Sequence, residues 1–179
     1  MRRLIERSFL ISLAVWSLLP AGCRRQAKAP VEATEEEPPA LASTVHVADP
    51  RTFAQLLKGF HGLEQNAWRW TAGKFSVVLR PPGLAAQKGA TLQVKLTVPD
   101  PVIQKLKAVT LTATVGNVAL PPERYTQTGE YVFTREVPAS ALSGSAVTVD
   151  FSLDKSLPPG GTDRRELGII VTMIGLEPK

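Results

Sequence analysis

The stretch ATLQVKLTV, residues 90–98, alternates apolar and polar side chains through its whole length. Successive residues of a β-strand point to opposite faces of a sheet, so this stretch predicts a strand with one buried and one wet face. The same period of two recurs in AVTLTATV (108–115) and VTVDFSLD (147–154). We expect further strands in KFSVVLR (74–80) and EYVFTREV (130–137). The apolar members of the first alternation are Ala90, Leu92, Val94, Leu96 and Val98.

Segments rich in proline and glycine separate these strands, among them RPPG at 80–83 and LPPGG at 157–161. These residues favour turns, and no stretch with a helical period exceeds two turns. The pattern therefore predicts an all-β domain, an antiparallel and jelly-roll-like β-sandwich of about seven to nine strands. The last strand, LGIIVTMIGL at 167–176, is apolar on both faces. We expect it to be central or covered on its outer side.

The N-terminus has the pattern of a secretion signal. Basic residues precede an apolar run at 9–19 that is too short to span a bilayer of about 30 Å as a helix. The run leads into LLPAGC, which ends at Cys23, the only cysteine of the chain. This motif resembles the lipobox of bacterial lipoproteins, although Pro20 stands where leucine is usual. The resemblance implies cleavage before Cys23 and acylation of that residue, whereas the alternative is an ordinary secreted protein with a free thiol.

These features divide the chain into three parts. Residues 1–22 are the predicted signal peptide, residues 23–43 a lipidated N-terminus and disordered linker, and residues 44–179 the β-sandwich domain. Two or three acyl chains hold a protein stably on a membrane, so the membrane is the first expected partner. The residue after the cysteine is Arg24 and not aspartate. Resemblance to known lipoproteins then implies export to the outer membrane in a cell that has one.

Charge gives little indication of a nucleic-acid partner. Removal of residues 1–22 takes away three arginines and one glutamate, which lowers the formal net charge from +5 to +3. Basic residues are scattered singly along the folded part, with Arg164 and Arg165 the only doublet, and aromatic and basic residues are not interleaved. We expect no nucleic-acid binding.

The sequence also predicts no catalytic residue, cofactor or metal. The sole cysteine is assigned to acylation, and no Gly-x-Ser-x-Gly elbow is present. His46 and His61 are the only histidines, and neither stands in metal-ligand spacing with other ligands. Asp150 and Asp154 share the polar face of a strand and could serve glycoside hydrolysis, but solvated strand charges are the commoner reading.

Two regions together carry a family resemblance: GFHGLE followed by RWTAGKFSVVL, at 59–64 and 69–79, and DRRELGIIVTMIGL, at 163–176. They resemble the β-sandwich domains appended to some bacterial glycosyltransferases, which are similar to carbohydrate-binding modules of galactose-binding-like shape. The resemblance implies a sandwich of that kind, although this chain contains no transferase domain. The matching positions are Gly59, Gly62, Glu64, Arg69, Trp70, Asp163, Arg165, Leu167 and Gly168.

The tryptophans of WRW define the candidate site. Trp68 and Trp70 share one face of a strand and Arg69 points to the other. We expect Trp70 at the edge of the core and Trp68 as a partly exposed ring, with Trp68 and Arg69 as candidate ligand-binding residues; the alternative is that both rings are packed. We also expect Glu64 and Asp163 to pair with the two arginines, Arg69 and Arg165.

Two functions remain open. The first is a non-catalytic module that binds a polysaccharide or glycan, with aromatic faces against sugar rings. The second is an interaction module that docks onto an envelope protein complex through an apolar patch, without a sugar ligand.

Overall fold

The computed structural model describes residues 40–179. The signal peptide, Cys23 and the linker up to residue 39 lie outside the described residues, so their assignments stay predictions. Within the described part, no helix is both long and apolar enough to cross a membrane. The helices are α1 (Ala85–Lys88), α2 (Asp100–Leu106) and two 3-10 helices (Pro50–Gln55 and Ala139–Ala141). The strands are β1 (Thr44–His46), β2 (Leu56–Glu64), β3 (Trp68–Leu79), β4 (Ala90–Val98), β5 (Val109–Val115), β6 (Val118–Ala119), β7 (Glu123–Tyr125), β8 (Gly129–Val137), β9 (Val147–Leu153) and β10 (Ile170–Pro178).

The domain is an all-β, antiparallel sandwich, which confirms the predicted fold class. The ten strands exceed the seven to nine expected, because β1, β6 and β7 have only two or three residues each and are too short to show an alternation. The nine-residue β2 was not predicted either, since its sequence LLKGFHGLE has no period of two.

One long strand, β3, joins the two layers of the sandwich. At its start Trp70 pairs with Ile170 of β10, and from Lys74 onward it pairs with β9. We call β1, the start of β3, β10, β4 and β8 the β4 sheet, and the end of β3, β9, β5, β6 and β7 the β9 sheet. The hairpin partner β2 follows β3 along both layers. The change of partner at Thr71–Gly73 curls one continuous sheet over itself.

The core fills the space between the two layers. The five alternating apolar residues of β4 are 0 to 3% exposed, as their sequence period predicts. Phe75 of β3 stacks on Phe151 of β9 with ring centroids 4.7 Å apart, and Phe60 of β2 meets Phe75 edge-on at 5.4 Å. These rings pack β2, β3 and β9 against the core from one side.

The central strand β10 departs from a strict alternation. It lies between β4 on one side and β3 and β1 on the other. The register shifts between Val171 and Met173, so Val171 and Ile174 both stand opposite core residues of β4. The sequence period placed these two residues on opposite faces, and that assignment is wrong because a bulge at Thr172 inserts one extra residue. Met173 is thereby on the outer face, where it is only 6% exposed.

The folded part begins slightly before Thr44. The amide of Ala42 donates to Gln55 Oε1 at 2.9 Å, and its carbonyl accepts from the amide of Arg80 at 3.1 Å. The carbonyl of Ser43 accepts from the amide of Leu176 at 2.9 Å. The last two residues assigned to the linker are therefore fixed to the domain.

Candidate functional site

A tight hairpin presents the two tryptophans. Between β2 and β3, Gln65 and Asn66 have φ of 50° and 54°, and the amide of Ala67 donates to the carbonyl of Glu64 at 3.0 Å. Two consecutive positive φ values define a type I′ turn, whose twist matches that of the strands it joins. The turn sets Glu64 directly opposite Trp68. These two side chains therefore share a face of the hairpin.

The strand register carries that face across the β4 sheet. Trp70 pairs with Ile170, Ile170 pairs with Thr97, and Thr97 pairs with Glu130. Their neighbours Val171, Leu96 and Val98 are buried in the core, so the row lies on the opposite, solvent-facing side. We call this side the outer face of the β4 sheet. It brings a tryptophan, an isoleucine, a threonine and a glutamate from four strands into one line.

A shallow groove of about 380 Å³ lies beside the row on this outer face. It opens between β10, β4 and β8, and Val132 in its wall is 53% exposed. Lys95 pairs across the strands with Val132, and Thr97 pairs with Glu130, so the groove alternates polar and apolar groups. Its full lining is Lys95, Leu96, Thr97, Glu130, Tyr131, Val132 and Thr172.

The two tryptophan rings meet edge to face. Their centroids are 6.4 Å apart and their planes differ by 75°. Both side chains are partly buried, and Trp70 also packs against the core. Trp68 stands at the first position of β3, where it rests against Trp70 and keeps part of its surface in solvent.

Arg69, the other candidate ligand residue, fastens the end of the sandwich. Its Nε donates to the carbonyl of Val47 at 3.0 Å and its Nη1 to the carbonyl of His61 at 2.8 Å. The guanidinium lies 4.5 Å from the ring centre of Phe53. Burial lowers the pKa of Arg69. These contacts tie β2, β3 and the segment after β1 together, and they hold the guanidinium away from the tryptophan face.

Glu64, the cross-strand partner of Trp68, forms a cluster with Asp163 and Arg165. Nε and Nη2 of Arg165 donate to the two oxygens of Asp163 at 3.0 and 2.9 Å, and Nη1 donates to Glu64 Oε1 at 2.7 Å. The hydrogen bonds from Arg165 hold the pKa of Asp163 at about 2, and those from Asp163 and Glu64 raise the pKa of Arg165. Of the expected pairings, Arg165 contacts both acids, whereas the guanidinium of Arg69 contacts backbone carbonyls.

The glycines shared with the resemblance have different surroundings. Gly59 has φ of 74°, and a Cβ placed there would lie 2.1 Å from the carbonyl oxygen of Lys74. A Cβ at Gly168 would lie 2.8 Å from the backbone carbonyl oxygen of Ala72 and 2.6 Å from Leu153 Cδ1. Gly62 has open space around it, with nothing within 4 Å. Close packing therefore requires glycine at 59 and 168 but not at 62.

The remaining charged residues considered from the sequence are dispersed. His46 is exposed in β1, and Nε2 of His61 lies 2.6 Å from the carbonyl oxygen of Glu166. Asp150 lies 3.6 Å from Nζ of Lys58, and Asp154 Oδ1 accepts from the amide of Thr110 at 2.6 Å. Across residues 40–179, no three His, Asp or Glu side chains gather in an arrangement that could hold a metal ion.

Comparison with known proteins leaves the ligand open. No protein-family model and no curated protein matches the chain. One solved structure, described as "CBM4 structure and function", is similar over 69% of this chain and 77% of its own, with 8% identity and a TM-score of 0.34. At that TM-score the likeness carries no weight for fold or ligand, and both rest on the strands and side chains described above.

Proposed function

We propose that this protein is a lipid-anchored envelope protein whose β-sandwich binds a polysaccharide or glycan without catalysing a reaction. The ligand lies on the outer face of the β4 sheet, with one sugar ring against Trp68 and the chain continuing past Thr97 towards Glu130. The proposal is carried by the cross-strand row that aligns Trp70, Ile170, Thr97 and Glu130 on the solvent side.

Such a row suits the surface chemistry of a sugar. Aromatic rings offer large apolar faces, and sugars present C–H groups on one face of the ring and hydroxyls around its rim. A few well-placed polar groups beside an apolar surface are what small-molecule sites use to fix orientation. Thr97, Glu130 and Lys95 supply hydroxyl, carboxylate and ammonium groups along the groove.

The position of the chain entry is compatible with attachment through Cys23. Thr44, the first residue of β1, pairs with Gly175, whereas Trp70 pairs with Ile170 at the other end of β10. Five residues of strand span roughly 17 Å. The tryptophans therefore lie at the end of β10 away from the point where the described chain enters the sheet.

Two tryptophan variants test the binding function. Trp68→Ala removes the partly exposed ring and an edge contact of about 0.5 to 1.5 kcal/mol, so the protein stays folded while glycan affinity falls by about tenfold or more. Trp70→Ala also leaves a cavity at the core edge and costs about 3 to 5 kcal/mol of unfolding free energy. Melting midpoints and affinity electrophoresis in gels containing a panel of envelope polysaccharides measure both effects on the detergent-solubilised protein.

Leu84→Ala is the matched control, because Leu84 is an apolar side chain 58% exposed beside α1, outside the groove and the tryptophan row. It should change neither melting nor binding. The docking function is favoured instead if no polysaccharide retains the wild-type protein, and if the wild-type protein and Trp68→Ala both capture the same envelope protein. Strong destabilisation by both tryptophan variants would remove Trp68 from the site.

A further inference from the structure

The charges around the tryptophans restrict the kind of glycan that can bind, an inference that rests on the proposed binding function. We propose that Glu64 and Asp163 make the site selective for glycans without negative charge. Glu64 is the direct cross-strand partner of Trp68, and Asp163 shares with Glu64 the contact with Arg165.

Arg69 and Arg165 are already occupied by contacts within the protein. Each nitrogen of the Arg165 guanidinium donates to Glu64 or Asp163. Nε and Nη1 of Arg69 donate to the backbone carbonyls of Val47 and His61. An anionic sugar is normally recognised by a guanidinium that offers two parallel donors, and neither arginine presents that free fork towards Trp68.

The carboxylates keep accepting capacity after these bonds are made. An ionised carboxylate has about four lone-pair positions, more than Arg165 uses on either acid. Glu64 and Asp163 are 34% and 38% exposed, so a ligand can reach them. Hydroxyl donors of a sugar stacked on Trp68 therefore find acceptors at its rim, while a carboxylate or sulfate group finds repulsion.

The sum of charges points the same way. Glu64, Asp163 and Arg165 together carry a net charge of −1, and the exposed Arg164 takes no part in their contacts. In the groove, the opposite charges of Lys95 and Glu130 sum to zero. Arg165 is a positioning residue in this scheme, because it holds both carboxylates in place and does not itself contact the ligand.

Glu64→Gln tests the selectivity without removing the hydrogen bond, since the amide oxygen still accepts from Arg165. The probes are two pairs of soluble polymers that share a backbone and differ in charge: hydroxyethyl cellulose with carboxymethyl cellulose, and dextran with dextran sulfate. We expect the detergent-solubilised wild-type protein to bind the neutral member of a pair more tightly than the acidic member. The variant should bind the acidic member about three- to tenfold more tightly at low salt, with neutral affinity changed less than about threefold. Salt near 0.15 M should shrink the difference.

Glu123→Gln is the matched control, because Glu123 of β7 forms an ion pair of 2.9 Å with Arg135 and lies outside both the groove and the tryptophan row. It should leave the ratio of the two affinities unchanged. The inference is overturned, while glycan binding stands, if the wild-type protein binds the acidic polymer as tightly as the neutral one or more tightly. It is also overturned if Glu64→Gln leaves the ratio of the two affinities unchanged. Binding of neither member of either pair by any form would count against the glycan-binding function itself.

Discussion

Gly59→Ala places a methyl group where the backbone of the neighbouring strand already lies. The added Cβ would be 2.1 Å from the carbonyl oxygen of Lys74 and 2.7 Å from Cα of Phe75. Both are backbone atoms of β3, which cannot rotate away as the end of a flexible side chain can. In addition, φ at Gly59 is 74°, a conformation that costs a non-glycine residue about 1 to 2 kcal/mol.

The expected loss of stability follows from these two effects. Overpacking costs about 1 to 3 kcal/mol, so the total loss of unfolding free energy is about 2 to 5 kcal/mol. At roughly 3 to 4 °C per kcal/mol, the melting midpoint should fall by about 6 to 20 °C. Thermal melting followed by circular dichroism measures the shift, and a urea titration gives the free energy independently.

Gly62→Ala is the control within the same strand. Gly62 is exposed, its φ lies outside the left-handed region, and a Cβ there meets nothing within 4 Å. The variant should lie within about 0.5 kcal/mol of the wild type, or gain slightly because alanine has less freedom in the unfolded chain. Equal melting midpoints for the Gly59 and Gly62 variants would refute the close approach of β2 and β3.

Two further predictions concern Asp163 and Cys23. Because the pKa of Asp163 is held at about 2, below its usual value near 4, the ionised carboxylate contributes stability that is present above about pH 4 and lost as pH falls to 2. Asp163→Asn should lower the melting midpoint at pH 7 and flatten its dependence on pH between 4 and 2; parallel curves for the two proteins would contradict the ion pair. Cys23→Ser should remove the protein from the detergent phase after phase separation, or leave the signal peptide uncut, which its mass shows. If both proteins are cut to the same length and partition equally into detergent, acylation is ruled out.

The sequence predicts the parts of the fold that depend on one strand at a time. The alternation in β4 identifies its buried face without knowledge of its neighbours. In β10, however, apolar residues occupy both faces, so the bulge at Thr172 leaves no trace in the hydrophobic pattern. In β2 the register against β3 shifts three times, and two glycines interrupt the pattern, so the period of two is lost.

The same limit applies to the candidate site. The pleat alone places Trp68 and Trp70 on one face, and that much follows from spacing. That Thr97 and Glu130 continue the same face depends on the registers of β10 with β3, of β4 with β10 and of β8 with β4. These pairings join residues far apart in the chain, and no local pattern encodes them.

The residues of the family resemblance connect the fold to the site. Glu64 and Arg165 join the β2–β3 hairpin to the loop before β10, and a Cβ at Gly168 would lie 2.7 Å from Thr71 Oγ1. These contacts fix the strand that carries both tryptophans, so the motif is explained by packing and ion pairing before any ligand is considered. A motif variant that unfolds the domain will also abolish binding. Lost binding therefore reports on the site only where the melting midpoint is preserved, and Trp68, which rests on Trp70 at the start of its strand, is the position where the structure predicts that separation.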